Sequence, residues 1–418
     1  MRRIQMIVEF FFRKKWLGIL LVLSLVIGTG ISTVYRGAFG PKQRTDLAVY
    51  FKAAEMVRIG RANHIYGIET DRNWHYVYSP FLAILLAPVS ALPFVVPVTA
   101  NYLLGLLCLF GVIFLSFRFT STSEDTRWKV VLAAFLSLPV ILNTLTRGQL
   151  GLLMLFFQAA ILFCYLRNYR ILTGLLLSLA VTIKASPLAA LFFFFLFRKE
   201  WKILASTVFF GAVFSVLYPS VIIGFGQNRE LLGIWRNLMA EGSSIAAHRS
   251  YLWSELFTPF AEDNQSVYAV LTRFAWKDEA SFIAHPSNRV RLLSAGLGLL
   301  GMFFLYLQKG RNGKTRPAEI TMTEFSLYPV WMLLFSPVTQ IHHYTSLYFL
   351  FLAALFLYEP GKARSRLLGW SLLLSTGLFF SGLIFDPLAY LGIPMWGSLG
   401  LWSVLLFICF RPRQAIAG

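Results

Sequence analysis

The stretch RILTGLLLSLAVTIKASPLAALFFFFLFRKEWK, residues 170–202, decides how this chain folds. Taken alone, residues 171–197 read as one long apolar span. Arg167 and Arg170 precede it, however, and Arg198-Lys199-Glu200-Trp201-Lys202 follows it. Clusters of Lys and Arg mark the cytoplasmic side of membrane proteins. Two basic ends on one side require the segment to dip out and return. Lys184-Ala185-Ser186-Pro187 supplies the turn, since proline stops a helix.

The rest of the chain follows the same rule. Cutting at the basic clusters leaves apolar spans near 16–34, 99–117, 130–145, 150–166, 171–184, 187–197, 203–223, 288–307, 321–336, 341–358, 367–385 and 396–410. By the length rule this is an all-α integral membrane protein, a polytopic bundle of about twelve helices. Further outward turns fall at Thr146-Arg147-Gly148-Gln149 and Ser336-Pro337-Val338-Thr339-Gln340. Both termini are then cytoplasmic, in a multi-pass cell (inner or plasma) membrane protein. Arg13-Lys14-Lys15 followed by Trp16–Ile27 resembles a signal peptide, but no A-x-A site follows Gly30, so the reading is a retained first span.

Composition agrees. The chain is 57% hydrophobic with only 14% charged residues, and its mean hydropathy is +0.65. A soluble domain of this size has no way to cover so much apolar surface. A net charge of +19 suggests nucleic acid at first sight. The bases come instead as short clusters between apolar runs, which is orientation in a membrane and no nucleic-acid surface. Cys108, Cys164 and Cys409 all lie inside apolar runs without metal spacing and read as small hydrophobes.

Two long loops face outward, roughly 35–98 and 224–287. In the first, Leu47, Tyr50, Phe51, Ala54 and Val57 recur at helical spacing with Lys52, Glu55 and Arg58 between them. That pattern predicts an amphipathic interfacial helix. Phe81–Leu92 is apolar but too short to span and is bracketed by Pro80, Pro88 and Pro93, which fits a re-entrant or interfacial hairpin. No repeat and no low-complexity tract divides the chain, so residues 1–418 read as a single polytopic domain.

On this topology the non-random polar residues collect on the outward side. Asp46 opens the interfacial helix, and Tyr76-Val77-Tyr78-Ser79-Pro80 precedes the hairpin. Arg147-Gly148-Gln149 and Lys184 sit at turns. Asn264-Gln265-Ser266 and Arg273 lie in the second loop, and Ser336-Pro337 leads to His342-His343. The cytoplasmic ends carry only orienting bases.

This set resembles glycosyltransferase family 87, of the GT-C superfold. The matching pieces are Asp-x-x-x-Tyr at 46–50, Tyr-Ser-Pro at 78–80 with Pro88 and Pro93 after it, Gly-Gln-x-x-x-Leu at 148–153, and Ile-Lys-x-x-Pro at 183–187. Asn-Gln-Ser at 264–266 with Arg273, and Ser-Pro followed by His-His at 336–343, complete the set. The chain has Ser79 where the family often shows proline, and Gln340 where an aromatic is common. The resemblance implies a GT-C-type bundle that moves a sugar, mannose by family habit, from a polyprenyl-phosphate donor to a lipid-linked or glycan hydroxyl. It implies Asp46 as general base, Arg147, Lys184 and Arg273 on the donor phosphate, and Tyr50, Tyr78, Gln149, Asn264, Gln265, His342 and His343 as substrate contacts. No cofactor is implied. An inverting displacement needs one base where a glycosidase uses a pair of carboxylates.

Each residue also has a plainer reading. Asp46 suits the start of a helix by its charge alone. Lys184 can snorkel to the interface, and Arg273 can pair with Glu262 or Asp263. His342 and His343 are adjacent and would point about 100° apart on a helix, against a shared metal. Glu69-Thr70-Asp71 has the spacing of a divalent-ion chelate and equally that of a solvated turn. Trp74, Tyr76, Tyr78, Trp235, Tyr251 and Trp253 serve either to stack on sugar rings or as an aromatic belt. The rival functions are a transporter or flippase of lipid-linked sugars, which calls for charges at mid-span, and a non-catalytic scaffold or polysaccharide polymerase-ligase.

Overall fold

The computed structural model describes residues 15–40, 45–68, 70, 74–119, 124–242, 253–308, 318–359 and 363–410. Among these residues the fold is entirely helical, with one isolated antiparallel bridge between Asn264 and Gln340. The opening stretch folds as its charges dictate. The helix Gly151–Leu166 runs away from Gln149, and Arg170–Ile183 runs back beside it to Lys184. A short helix, Leu191–Phe197, then leads away again. The two ends of the excursion meet, because Arg170 pairs with Glu200 at 3.1 Å and Arg198 donates to the Tyr165 hydroxyl at 3.4 Å.

That meeting point corrects one expectation. The end opposite Lys184 does not carry orienting bases alone. Arg198 also forms an ion pair with Glu324, a carboxylate only 5% exposed, and Tyr165 donates to Glu200 at 3.1 Å. These polar groups brace the ends of four helices where apolar packing runs out.

The twelve predicted spans each coincide with helix, but not with twelve full-length ones. Among the described residues three helices are long and apolar enough to cross alone: Val95–Arg118, Trp201–Ile223 and Arg289–Gln308. A fourth is a pair, Thr126–Leu136 and Leu138–Arg147, bent by 52°. Pro139 sits in the first turn of the second member, where it breaks the preceding ladder. The 14-residue helix Arg170–Ile183 is about 21 Å long, and the seven residues of Leu191–Phe197 about 10 Å, against roughly 30 Å of hydrocarbon. Leu103, Leu107 and Phe110, like Leu292, Leu299 and Leu300, are exposed. In water such faces would be a liability; acyl chains would cover them.

The amphipathic helix of the first loop is Leu47–Arg58, with Leu47, Val49, Tyr50, Ala53, Ala54 and Val57 buried and Glu55 and Arg58 exposed. The proline-bracketed hairpin is a short helix, Pro80–Leu86, ending in a tight turn through Val89. It packs against Leu47–Arg58. The second long loop is itself largely helical, with Phe225–Gly242, Val267–Ala275 and Glu279–Ala284.

Candidate active site

Asp46 occupies the N-cap position of Leu47–Arg58, but its side chain makes no capping bond. The helix start is held by its backbone. Asp46 N–H donates to the Arg147 carbonyl at 3.0 Å, and Thr45 Oγ1 donates to the same oxygen at 3.3 Å. Gly148 permits this approach. It ends the helix Leu138–Arg147 in the left-handed region at φ +67°, and a Cβ there would collide with Thr45 Oγ1 and press on Leu47. Gly148→Ala therefore meets both a backbone penalty and a clash, together about 1–3 kcal/mol. We expect a lowered melting temperature and reduced turnover, since Asp46 moves with Thr45. An Ala variant with wild-type melting and activity would refute this account of the turn.

Lys184 is brought to the same place by the tyrosine segment. Ser79 Oγ donates to the Thr182 carbonyl at 2.7 Å, satisfying one of the orphan acceptors at the end of Arg170–Ile183. Tyr66 donates to the Tyr78 carbonyl at 3.0 Å, and Trp235 Nε1 to the Val77 carbonyl at 3.1 Å. Lys184 lies just past the helix end, in extended backbone, with its Nζ 5.9 Å from the centre of the Tyr78 ring. It donates to Gln149 Oε1 at 3.2 Å. The Tyr50 hydroxyl is 3.4 Å from that oxygen and 2.9 Å from the Tyr78 hydroxyl. Burial lowers the Lys184 pKa to about 8, with the Asp46 carboxylate pulling it back up. Burial also holds the Tyr50 and Tyr78 phenols well above their usual range, helped by Asp46, so both remain protonated hydrogen-bond donors.

The facing wall is built from the second loop and residues 336–343. Gln265 N–H donates to the Thr339 carbonyl at 2.6 Å, and Asn264 Oδ1 accepts from Thr339 N–H at 3.2 Å. The Gln265 amide donates to the carbonyls of Glu262 and Ala389. Arg273 Nη1 donates to three carbonyls, those of Pro259, Ala261 and Asn264, at 2.8–3.0 Å. Burial lowers the Arg273 pKa to about 10, while Tyr390 and Glu262 oppose the shift. Asp263 pairs with Arg147 at 2.8 Å, and not with Arg273 as one sequence reading had it. Both partners are about two-fifths exposed (41% and 42%). Such a pair contributes about 0–1 kcal/mol and gives way easily to a stronger anion. His343 Nδ1 accepts from Gln340 N–H at 3.3 Å, which leaves its proton on Nε2. The two histidine rings stand 4.4 Å apart at 78°, on a short 3₁₀ helix, Ile341–Ser346, rather than an α-helix.

These walls enclose a cavity of about 1030 Å³. That lies at the top of the range of about 300–1,000 Å³ usual for ligand sites. Asp46, Tyr50, Tyr78, Arg147, Gln149, Lys184, His342 and His343 all line it. Arg273, Asn264 and Gln265 do not. Arg273 Nη1 and the Asn264 and Gln265 amides bond instead to backbone groups of the loop and of Pro337, Thr339 and Ala389, which a motif read along the chain does not reveal. Residues to which the sequence assigned no role also face the cavity, among them Arg36, His75 and Asn143. Arg36, just beyond the first span, was the most visible of them. Of the aromatic candidates Trp74 lines the cavity, whereas Trp253 is buried against Phe257 and Phe282 and bonds Glu279. Glu69, Asp71 and Tyr251 lie outside the described residues. Among the described residues no three or more metal-ligating side chains converge.

Compared with known proteins, the chain matches the model of glycosyltransferase family 87 over residues 76–337. No curated protein and no solved structure matches it.

Proposed function

From the premise that the chain belongs to glycosyltransferase family 87 and is a membrane glycosyltransferase, we propose that it transfers mannose from polyprenyl-phosphate-mannose to a lipid-linked or glycan hydroxyl. The observation that carries this reading is one cavity lined by both Asp46 and the buried Lys184, close enough for their charges to interact. The acceptor oxygen attacks the anomeric carbon from the face opposite the phosphate. The new C–O bond forms as the bond to the phosphate oxygen breaks, and the centre inverts. Asp46 takes the acceptor proton, and polyprenyl phosphate leaves with the bonding electrons. Lys184 and Arg147 offset the charge that grows on it, Arg147 exchanging Asp263 for the phosphate. His342, His343, Tyr78 and Gln149 supply polar contacts to the two substrates. Arg273, Asn264 and Gln265 hold the loop that carries Asp263.

The same reading places about twelve membrane passages, short ones included, in a single polytopic domain. The cavity faces outward and both termini are cytoplasmic, in a cell membrane where lipid-borne donors diffuse to the site.

Purified protein in lipid nanodiscs, given radiolabelled polyprenyl-phosphate sugars and a membrane lipid extract, tests the proposal. We expect label to move from the mannosyl donor into a lipid or glycan product. Transfer only from nucleotide sugars, or from no sugar donor, overturns it.

A further inference from the structure

The carboxamide of Gln149 has its orientation imposed by chemistry. A lysine ammonium carries only donors, so the group of Gln149 that faces it must be the oxygen. Lys184 Nζ lies 3.2 Å from Gln149 Oε1, and the Tyr50 hydroxyl is 3.4 Å from the same atom. A phenol has one proton. If Tyr50 spends its proton on Gln149, it must accept from Tyr78, 2.9 Å away. The protons therefore run one way, from Tyr78 to Tyr50 to Gln149, with Lys184 converging on the same oxygen.

The planar amide then turns Nε2 away from all three. Nε2 has no hydrogen-bond partner among the described residues, and it is not one of the sealed polar atoms. Gln149 is 9% exposed and lines the cavity, so what exposure it has is toward the ligand space. An NH2 group gives two donors and no acceptor. Beside an ammonium of the same polarity, it suits a ligand that offers only acceptors and carries negative charge.

We propose that Gln149 Nε2 donates to the phosphoryl oxygen of the lipid-phosphate sugar next to Lys184, and that Tyr50 and Tyr78 are positioning residues that fix the amide for this contact. The inference rests on the donor reading above and assigns the phosphate subsite within it. It moves both Tyr50 and Tyr78 from substrate contact to support. The Tyr50 ring is 1% exposed, and its hydroxyl is engaged on both sides.

Gln149→Glu is the decisive variant. The carboxylate is nearly isosteric and still accepts from Lys184 and Tyr50, so folding is retained. It replaces two donors with a charged acceptor facing the phosphate. Binding is read by calorimetry with polyprenyl phosphate itself, without sugar or turnover. We expect about 30-fold weaker binding or more, from loss of a charge-assisted bond plus repulsion. Tyr50→Phe should raise the donor KM by about three- to tenfold with kcat less affected, and should do nothing further in a Gln149→Ala background. Binding by Gln149→Glu equal to wild type overturns the inference alone, as does a Tyr50→Phe effect undiminished in the Gln149→Ala background. A wild type that fails to bind polyprenyl phosphate overturns the donor reading and this inference with it.

Discussion

Asp46→Asn should lower turnover by about a hundredfold to ten-thousandfold, the usual size when a general base is removed. The amide keeps the shape of the side chain but accepts no proton as the new glycosidic bond forms. Donor binding should persist or tighten, because a negative charge near the phosphate is lost. Asp46→Glu should also be poor, since one methylene shifts the carboxylate by about 1 Å and positioning is costly to lose. The folded state should barely notice either change. Asp46 makes no side-chain cap bond, and the start of its helix is held by its own N–H and the Thr45 hydroxyl on the Arg147 carbonyl. Its charge at a helix start is worth about 0.3–1 kcal/mol. Turnover of the purified variants with a saturating donor, alongside thermal melts, separates the two roles. Full turnover in the Asn variant would remove the base from the mechanism.

Lys184→Ala should slow transfer by about tenfold to a thousandfold, because the leaving phosphate gains charge with no ammonium beside it. Lys184→Arg should recover only part of this, since a planar guanidinium does not fit a site shaped for a point charge. The lysine also makes a pH prediction. Burial lowers its pKa to about 8, below that of an ordinary lysine. Below that pH the ammonium is charged and stabilises the leaving group; as pH rises through about 8 the proton is lost and so is the rate. The kcat/KM profile should show an alkaline limb near pH 8, which Lys184→Arg moves to higher pH because a guanidinium keeps its proton. A profile flat to pH 9.5, about 1.5 units past that midpoint, or an Ala variant with normal kinetics would assign Lys184 to mere snorkelling.

Much of the fold was legible in the pattern of charges. The Arg170–Lys202 excursion turns at Lys184 because two basic clusters must share a side, and its ends do meet through Arg170, Glu200, Arg198 and Tyr165. The amphipathic helix after Asp46 was equally plain, since a period of 3.6 residues shows in the sequence itself. Helix lengths were less so. The bend at Pro139 and the brevity of Leu191–Phe197 depend on what the neighbouring helices cover, and hydropathy alone does not record that. Glu324 was missed for a related reason. A carboxylate inside an apolar run says only that a partner exists, and Arg198 is 126 residues away in sequence.

Within the site the same division holds. Hydropathy and spacing are properties of residues near one another in the chain, so the sequence by itself determined the helical membrane class, the turns, and which polar side chains break the apolar pattern at one side. Asp46, Arg147, Gln149 and Lys184 all stand out that way. A side chain's duty depends on what lies within about 3 Å of it in space, and only the tertiary structure decided that. Arg273 looks like Arg147 on paper, yet Arg147 faces the cavity beside Asp263 while Arg273 turns Nη1 onto three carbonyls of its own loop. A buried donor must find acceptors wherever the folded backbone leaves them, and no spacing rule carries that information.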